Sequence, residues 1–387
     1  MKSNLLKTSF FALSAFLAFS CSSDDDSTDT PTDPLEFNKS AVIENYANLV
    51  LANYTDAMTD AQDLETAINT FVTDPTEANF EASKSAWLDA RESYGTTEAF
   101  RFADGPIDSG DTEEIEGLLN SWPLDEAYID YVAGDENAGI INHTEDFPTL
   151  TKELLASQNG EGGEENVSVG YHAIELLLWG QDLTDPSENL AGQREYTDYT
   201  TGINADRRGE YLALCADLLT DNLQVMIDQW SGDYKNTFLG LDDDVALDNM
   251  ISSIAELSRS ELAIERMAVA LENQDQEDEH SCFSDNTHRD IRLNLEGILN
   301  VYSGSYGSVN GPSLEDLIAD TDEALATELT SLLNAAVTAV DNTSIPFDLA
   351  IAEGPSSTEG AKVQAAVQAL VSFGDKLLEG RVALGLN

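Results

Sequence analysis

The chain has 387 residues, 42% of them hydrophobic, and its 73 acidic against 18 basic side chains give a formal net charge of -55. That length and apolar content suffice for a substantial core and favour two domains over one. The charge argues against nucleic acid or anionic lipid headgroups as partners, and leaves two readings: a surface that keeps an exported protein soluble, or one that gathers cations.

Residues 1–20, MKSNLLKTSFFALSAFLAFS, place two lysines before an apolar run that ends in small residues, the layout of a secretory signal peptide. The apolar part is too short, and too closely followed by acid, for a transmembrane helix. LAFSC then resembles a bacterial lipobox, whose cysteine, here Cys21, is lipidated and becomes the mature N-terminus; Phe19 stands where a small residue is more usual. Residues 21–37 read as a disordered acidic tether with nothing apolar to pack in SSDDDSTDTPTDP. The expected location is the cell envelope, as an outer-membrane lipoprotein on the periplasmic or the surface face. With Cys21 assigned to lipid, Cys215 and Cys282 form either one disulfide or two separate buried thiols.

From Ala41 to Val72 apolar residues recur in steps of three or four, through Ile43, Tyr46, Val50, Tyr54, Leu64, Ile68 and Phe71, which predicts one long amphipathic helix. Asp74, Pro75 and Glu77 supply an N-cap, a first-turn proline and a capping acid for a second helix through Trp87, Tyr94 and Phe102. Residues 105–167 are irregular, and a long irregular excursion inside a helical domain is often functional. A helix from about Val167 to Gly180 follows, then one capped by Asn204 that runs to Trp230. Beyond the charged segment LDDDVALD come further helices, with start signals at Ser313 with Asp316 and at Ser356 with Glu359. No strand alternation stands out. The expected fold is all-α, two antiparallel bundles of the four-helix type, residues 38–243 and 244–387, with a hint of internal duplication.

Within GYHAIELLLWGQD, residues 170–182, His172, Glu175 and Trp179 fall on one helical face, and Gly170 permits a sharp turn or a close backbone approach. Imidazole and carboxylate three apart suit iron or zinc; the alternative is that His172 pairs with a buried Glu175 and orders the core. His280 and His288 lie in EDEHSCFSDNTHRD, where a metal site would use His288 with Asp285 or Asp290 and the alternative is a polar loop that caps the next helix. Asp104, Asp108 and Asp125 sit in the irregular excursion, as acids that fold towards a metal or as turn caps. HExxH, GxSxG, P-loop and CxxC patterns are absent from the sequence.

GYHAIELLLWGQD resembles the signature of the imelysin family, GxHxxE, matched by Gly170, His172 and Glu175. WLDARESY with EAFRFADGPID, then SWPLDEAYID, then DEHSCFSDNTHRD are similar to that family too, in this order across residues 87–290. The resemblance implies paired helical bundles with GxHxxE near their interface, and a link to bacterial iron acquisition. It also implies a metallopeptidase by family name, although one histidine and one acid are fewer than the three protein ligands of a catalytic zinc, so enzymatic activity stays open. The leading expectation is an outer-membrane-anchored protein of iron uptake that binds a metal ion or iron complex through His172 and Glu175. Gly170, Asp104, Asp108, Asp125, His288 and Asp290 are the further candidates. The alternatives are a metallopeptidase with Glu175 as general base, and a non-catalytic module that grips an outer-membrane receptor.

Overall fold

The computed structural model describes residues 34–112, 115–188 and 190–386, so the expected signal peptide and lipidation at Cys21 lie outside the described residues. Residues from Pro34 onward form one compact unit. The fold is all-α, as the periodicities require, apart from a small antiparallel hairpin that pairs Ser305 with Asn310 and Tyr306 with Val309 in the Ser/Gly loop.

The first helix, Pro34–Thr73, starts inside the stretch expected to be tether and runs 40 residues, about 60 Å at 1.5 Å per residue. Its stripe of Ile43, Tyr46, Val50, Tyr54, Ala61, Leu64, Ile68 and Phe71 is buried throughout. It packs against the helices Glu77–Gly95 and Ala205–Ser231, and near its N-terminal end, at Asn38, Lys39 and Ser40, it meets Asp243–Glu256 and Leu314–Thr321. The same helix therefore buttresses both the early and the late parts of the sequence.

Several expected caps move by one or two residues. Thr76, not Asp74, caps the second helix: it is extended at φ -112°, ψ 156°, and its side chain accepts the Asn79 N–H. That helix ends at Gly95 and tightens into a 3-10 turn, Thr96–Phe100. Asn204 stands at the start of Ala205–Ser231 in a left-handed conformation, but its amide donates to Asn142 Oδ1 rather than capping. Ser313 and Asp316 form the full capping box, whereas the last helix is capped by Ser357 instead of Ser356.

The helix Asp243–Glu256 continues without a break into a π-helical segment, Leu257–Ala268, and then Val269–Asn273. The sequence explains the wider turn. Leu257, Leu262 and Met267 are five apart, as are Ser258 and Ala263, and all five are buried, so a repeat of five rather than 3.6 keeps them on one face. The helix Thr287–Ser303 crosses the second helix closely, with Gly95 against Leu293 and Gly297 against the Thr96 carbonyl. This crossing brings the DEHSCFSDNTHRD segment over the GxHxxE helix.

Candidate functional site

The helix that carries the motif is Tyr171–Trp179, and all nine of its residues are buried. It begins four residues later than expected because Gly170 holds φ at +91°, outside the helical region, and a Cβ there would sit 2.6 Å from the Leu119 carbonyl oxygen. Trp87 Nε1–H donates to the Tyr171 carbonyl at 2.9 Å, which fixes the helix start against the second helix.

His172 Nδ1 lies 2.9 Å from Glu175 Oε2, the ordinary reach of an i, i+3 pair. The other oxygen, Glu175 Oε1, accepts both the N–H (3.0 Å) and the hydroxyl (2.6 Å) of Ser284. Burial pushes the Glu175 carboxyl up to about 8, against the pull of the Ser284 hydrogen bonds. Burial and the nearby His280 and Arg91 hold His172 well below the ordinary imidazole range. The pair is therefore neutral below about pH 8, where the Glu175 hydroxyl donates to Nδ1 and the imidazole proton sits on Nε2; once ionised, Glu175 accepts from Nδ1–H and the lone pair moves to Nε2. His172 Nε2 is buried and has no hydrogen-bond partner.

A second imidazole faces it. The His280 ring lies 4.6 Å from that of His172, centroid to centroid, at an interplanar angle of 74°, with Trp122 edge-on to His280 on another side at 5.6 Å. His280 Nδ1 is 2.9 Å from Asp290 Oδ2, which also accepts the Ser281 hydroxyl at 2.5 Å. Arg91 donates to Asp290 Oδ1 from Nε (3.3 Å) and Nη2 (3.0 Å). Burial opposes ionisation of Asp290, but Arg91 and His280 outweigh it and hold the carboxyl well below the usual range. Burial and Arg266 lower His280 to about 4 despite Asp290.

The polar chain continues inward. Arg91 Nη1 donates to Asn120 Oδ1 at 2.6 Å, Asn120 donates to Glu98 Oε1 at 3.1 Å, and Arg266 Nη2 donates to Glu98 Oε2 at 2.6 Å. Arg91 is fully buried and its guanidinium lies over the Trp87, Tyr94 and Tyr171 rings, 5.0 to 5.7 Å from their centroids. Every charge in this layer has an opposite charge or an amide bonded to it, which a buried network needs in order not to destabilise the fold.

The structure thus brings His172, Glu175 and Asp290 into one buried layer. His288 is not in it: its Nδ1 is 2.9 Å from the Asp285 carbonyl, within the turn that starts the helix Thr287–Ser303. Asp104 and Asp108 are exposed, the former at φ +53° with its carbonyl accepting the Tyr234 hydroxyl, and exposed Asp125 caps the helix Glu126–Ile129. Cys215 and Cys282 are separate buried thiols, not a disulfide. Reading by pattern passes over His280, Arg91, Asn120, Trp122 and Ser284 as site residues. Arg91 carried a signal, since Trp87, Arg91 and Tyr94 share a helical face on which an unpartnered cation would be out of place.

The Imelysin family model matches residues 50–377. The chain belongs to the imelysin family. Among curated proteins, the iron-regulated protein A of Synechococcus elongatus is 28% identical over 294 residues, 73% of this chain and 69% of that one. Two solved structures share the fold. One is described as an iron-regulated protein A precursor from Parabacteroides distasonis, with a TM-score of 0.71 and 18% identity over 92% of this chain and 97% of that chain. The other is an imelysin-like protein from Psychrobacter arcticum, with a TM-score of 0.66 and 14% identity over 92% and 98%. The imelysin motif GxHxxE thus reads structurally as a glycine that lets the helix start against a neighbouring carbonyl, an imidazole, and the carboxyl that orients it.

Proposed function

We propose that this imelysin-like chain is an envelope protein of iron uptake that binds a metal complex at His172. The observation that carries the reading is the His172 Nε2 atom, buried without a hydrogen-bond partner while Nδ1 is held by Glu175. Nε2 offers a lone pair when Glu175 is ionised and accepts from Nδ1–H, so a metal that binds there displaces the carboxyl proton and leaves the carboxylate to fix the tautomer. In this reading Glu175 orients the ligand instead of joining it, because both its oxygens are engaged within the protein. His280, held through Nδ1 in the same way by Asp290, is the second imidazole at the site.

The donor set does not fit a resident zinc of the hydrolytic kind. Among the described residues no three His, Cys, Asp or Glu side chains are grouped to hold one ion, where a catalytic zinc takes three protein ligands. A metal that brings its own ligands requires less of the protein, and the name iron-regulated protein A of the curated relative makes iron the first candidate. Attachment by lipid at Cys21, on the outer membrane, belongs to the same proposal; no helix among the described residues is long and apolar enough to cross a membrane. Calorimetric titration with ferric citrate tests the site: wild type binds and His172→Ala does not. Equal binding by the two proteins removes His172 from the site, and mass spectrometry of an unmodified Cys21 removes the anchor.

A further inference from the structure

A cavity of about 430 Å³ opens beyond the C-terminal end of the GxHxxE helix, walled by Tyr131, Val132, Trp179, Gly180, Leu183 and Arg194. Its volume falls in the range of about 300–1,000 Å³ in which proteins hold small ligands. Two glycines shape it. Gly180 ends the helix at φ +71°, and Gly192 passes so close that a Cβ on it would lie 2.6 Å from the Trp179 carbonyl oxygen. The backbone N–H of Arg194 then donates to that same carbonyl at 2.8 Å, which sets the Arg194 side chain in the wall. Opposite, Gln181 Oε1 accepts the Ala133 N–H at 2.7 Å and pins the turn Val132–Asp135 in place.

Arg194 is nine-tenths buried, and only part of its guanidinium is used. Nη1 donates to Asp130 Oδ2 at 2.6 Å, while Nε is buried with no partner and Nη2 makes no hydrogen bond among the described residues. Arg208, which shares Asp130, behaves differently: its Nε and Nη2 both engage that carboxylate, at 2.7 and 2.9 Å. Nε and Nη2 lie on one edge of the planar group, the edge with which arginine grips a carboxylate in two parallel hydrogen bonds. On Arg194 that edge is unspent. The Tyr131 ring lies 5.2 Å from the guanidinium, and Trp179 and the 67% exposed Leu183 line the same cavity.

We propose that this cavity binds a small organic monocarboxylate, with its carboxylate on the Nε and Nη2 edge of Arg194 and its apolar body against Trp179, Val132 and Leu183. The exposed Glu136 in the cavity wall repels a second negative charge on the ligand, which restricts the class to single carboxylates. The proposal stands apart from the metal reading and shares no residue with it.

Calorimetry of the full chain with benzoate and phenylacetate, each against its uncharged amide and against citrate as the polyanion, tests it. The acids bind at least about tenfold more tightly than the amides, as the loss of a charged hydrogen-bond pair requires, and citrate binds more weakly than either acid. Arg194→Lys, which keeps a cation beside Asp130 but loses the fork, weakens the acids by about tenfold or more. Val132→Trp, which narrows the cavity and leaves Arg194 in place, abolishes binding with the melting temperature retained. The proposal is overturned by equal affinity for acid and amide, by undiminished binding in either variant, or by no binding of either acid to wild type.

Discussion

His172 and His280 meet edge to face at 4.6 Å, and each is tied through Nδ1 to a carboxyl of opposite habit: Glu175 is pushed up to about 8, Asp290 is held far below the usual range. The difference lies in who donates to them. Glu175 receives two hydrogen bonds from uncharged Ser284, whereas Asp290 receives the Arg91 guanidinium. One pair of imidazoles is thereby supported by one neutral acid and one fixed anion.

The raised Glu175 makes stability depend on pH with a definite sign. Its unfolded value is about 4.3, so between that and about 8 the native state binds more protons than the unfolded one. Stability from this group is complete below the unfolded value and is lost as pH rises through about 8. Asp285 and Asp348, raised by burial to about 7 and about 6, add to the same slope. Urea unfolding at pH 5 and pH 8.5 will show a loss over that interval, and Glu175→Gln will reduce it. An unchanged slope in Glu175→Gln would assign the loss elsewhere.

Asp130 carries the contrary case. Its carboxylate is lowered to about 2 because hydrogen bonds from Arg208 and the charges of Arg194 and Arg208 overcome burial. Stability from this group is present above about pH 4 and disappears as pH falls through about 2. Asp130→Asn leaves two buried guanidiniums short of their shared anion and costs about 3–5 kcal/mol at neutral pH, to be read from urea midpoints.

Ser284→Ala takes both the hydroxyl bond and its geometry from Glu175, raises that carboxyl further, and loosens the support of the His172 ring. Metal affinity drops by about ten- to a hundredfold, the usual effect of losing a group that orients a ligand, with helical circular dichroism unchanged. If binding is present in wild type and the same in Ser284→Ala, Glu175 does not orient the ligand.

Gly297→Ala places a methyl group into the Thr96 carbonyl at the crossing of the two helices. Backbone cannot yield there as a flexible side chain could, so about 1–3 kcal/mol of stability is lost. A thermal melt equal to wild type would mean that the helices slide apart without cost.

The long helices were legible because their apolar residues recur in steps of three or four over many turns, as from Ile43 to Phe71. The GxHxxE helix was legible as a helix, yet burial on all sides removes the contrast between faces, so sequence spacing alone says nothing of what His172 meets. The spacing of His288 to Asp285 and Asp290 suggests a metal pair and that of His280 does not, although both lie in one segment. What separates them is the close crossing at Gly95 and Gly297, a tertiary relation between residues some two hundred positions apart that carries no local pattern. The fivefold spacing of Leu257, Leu262 and Met267 was in the sequence as well, but it fits neither the 3.6 nor the 2 template.

That π-helical stretch sets a clock for the rod running from Asp243 to Asn273. The wider turn delays the phase of everything after it, and Arg266 arrives facing Glu98 and Asn294, to which it donates at 2.6 and 2.5 Å. Deleting any single residue between Leu257 and Ala268 would let ordinary α-helix close over the gap and rotate the following side chains by about 100°. Arg266 would then leave Glu98, and the chain of contacts from Glu98 through Asn120 to Arg91 and Asp290 would lose its inner counter-charge. The length of this segment is thus tied to the imidazole pair at the other end of the network.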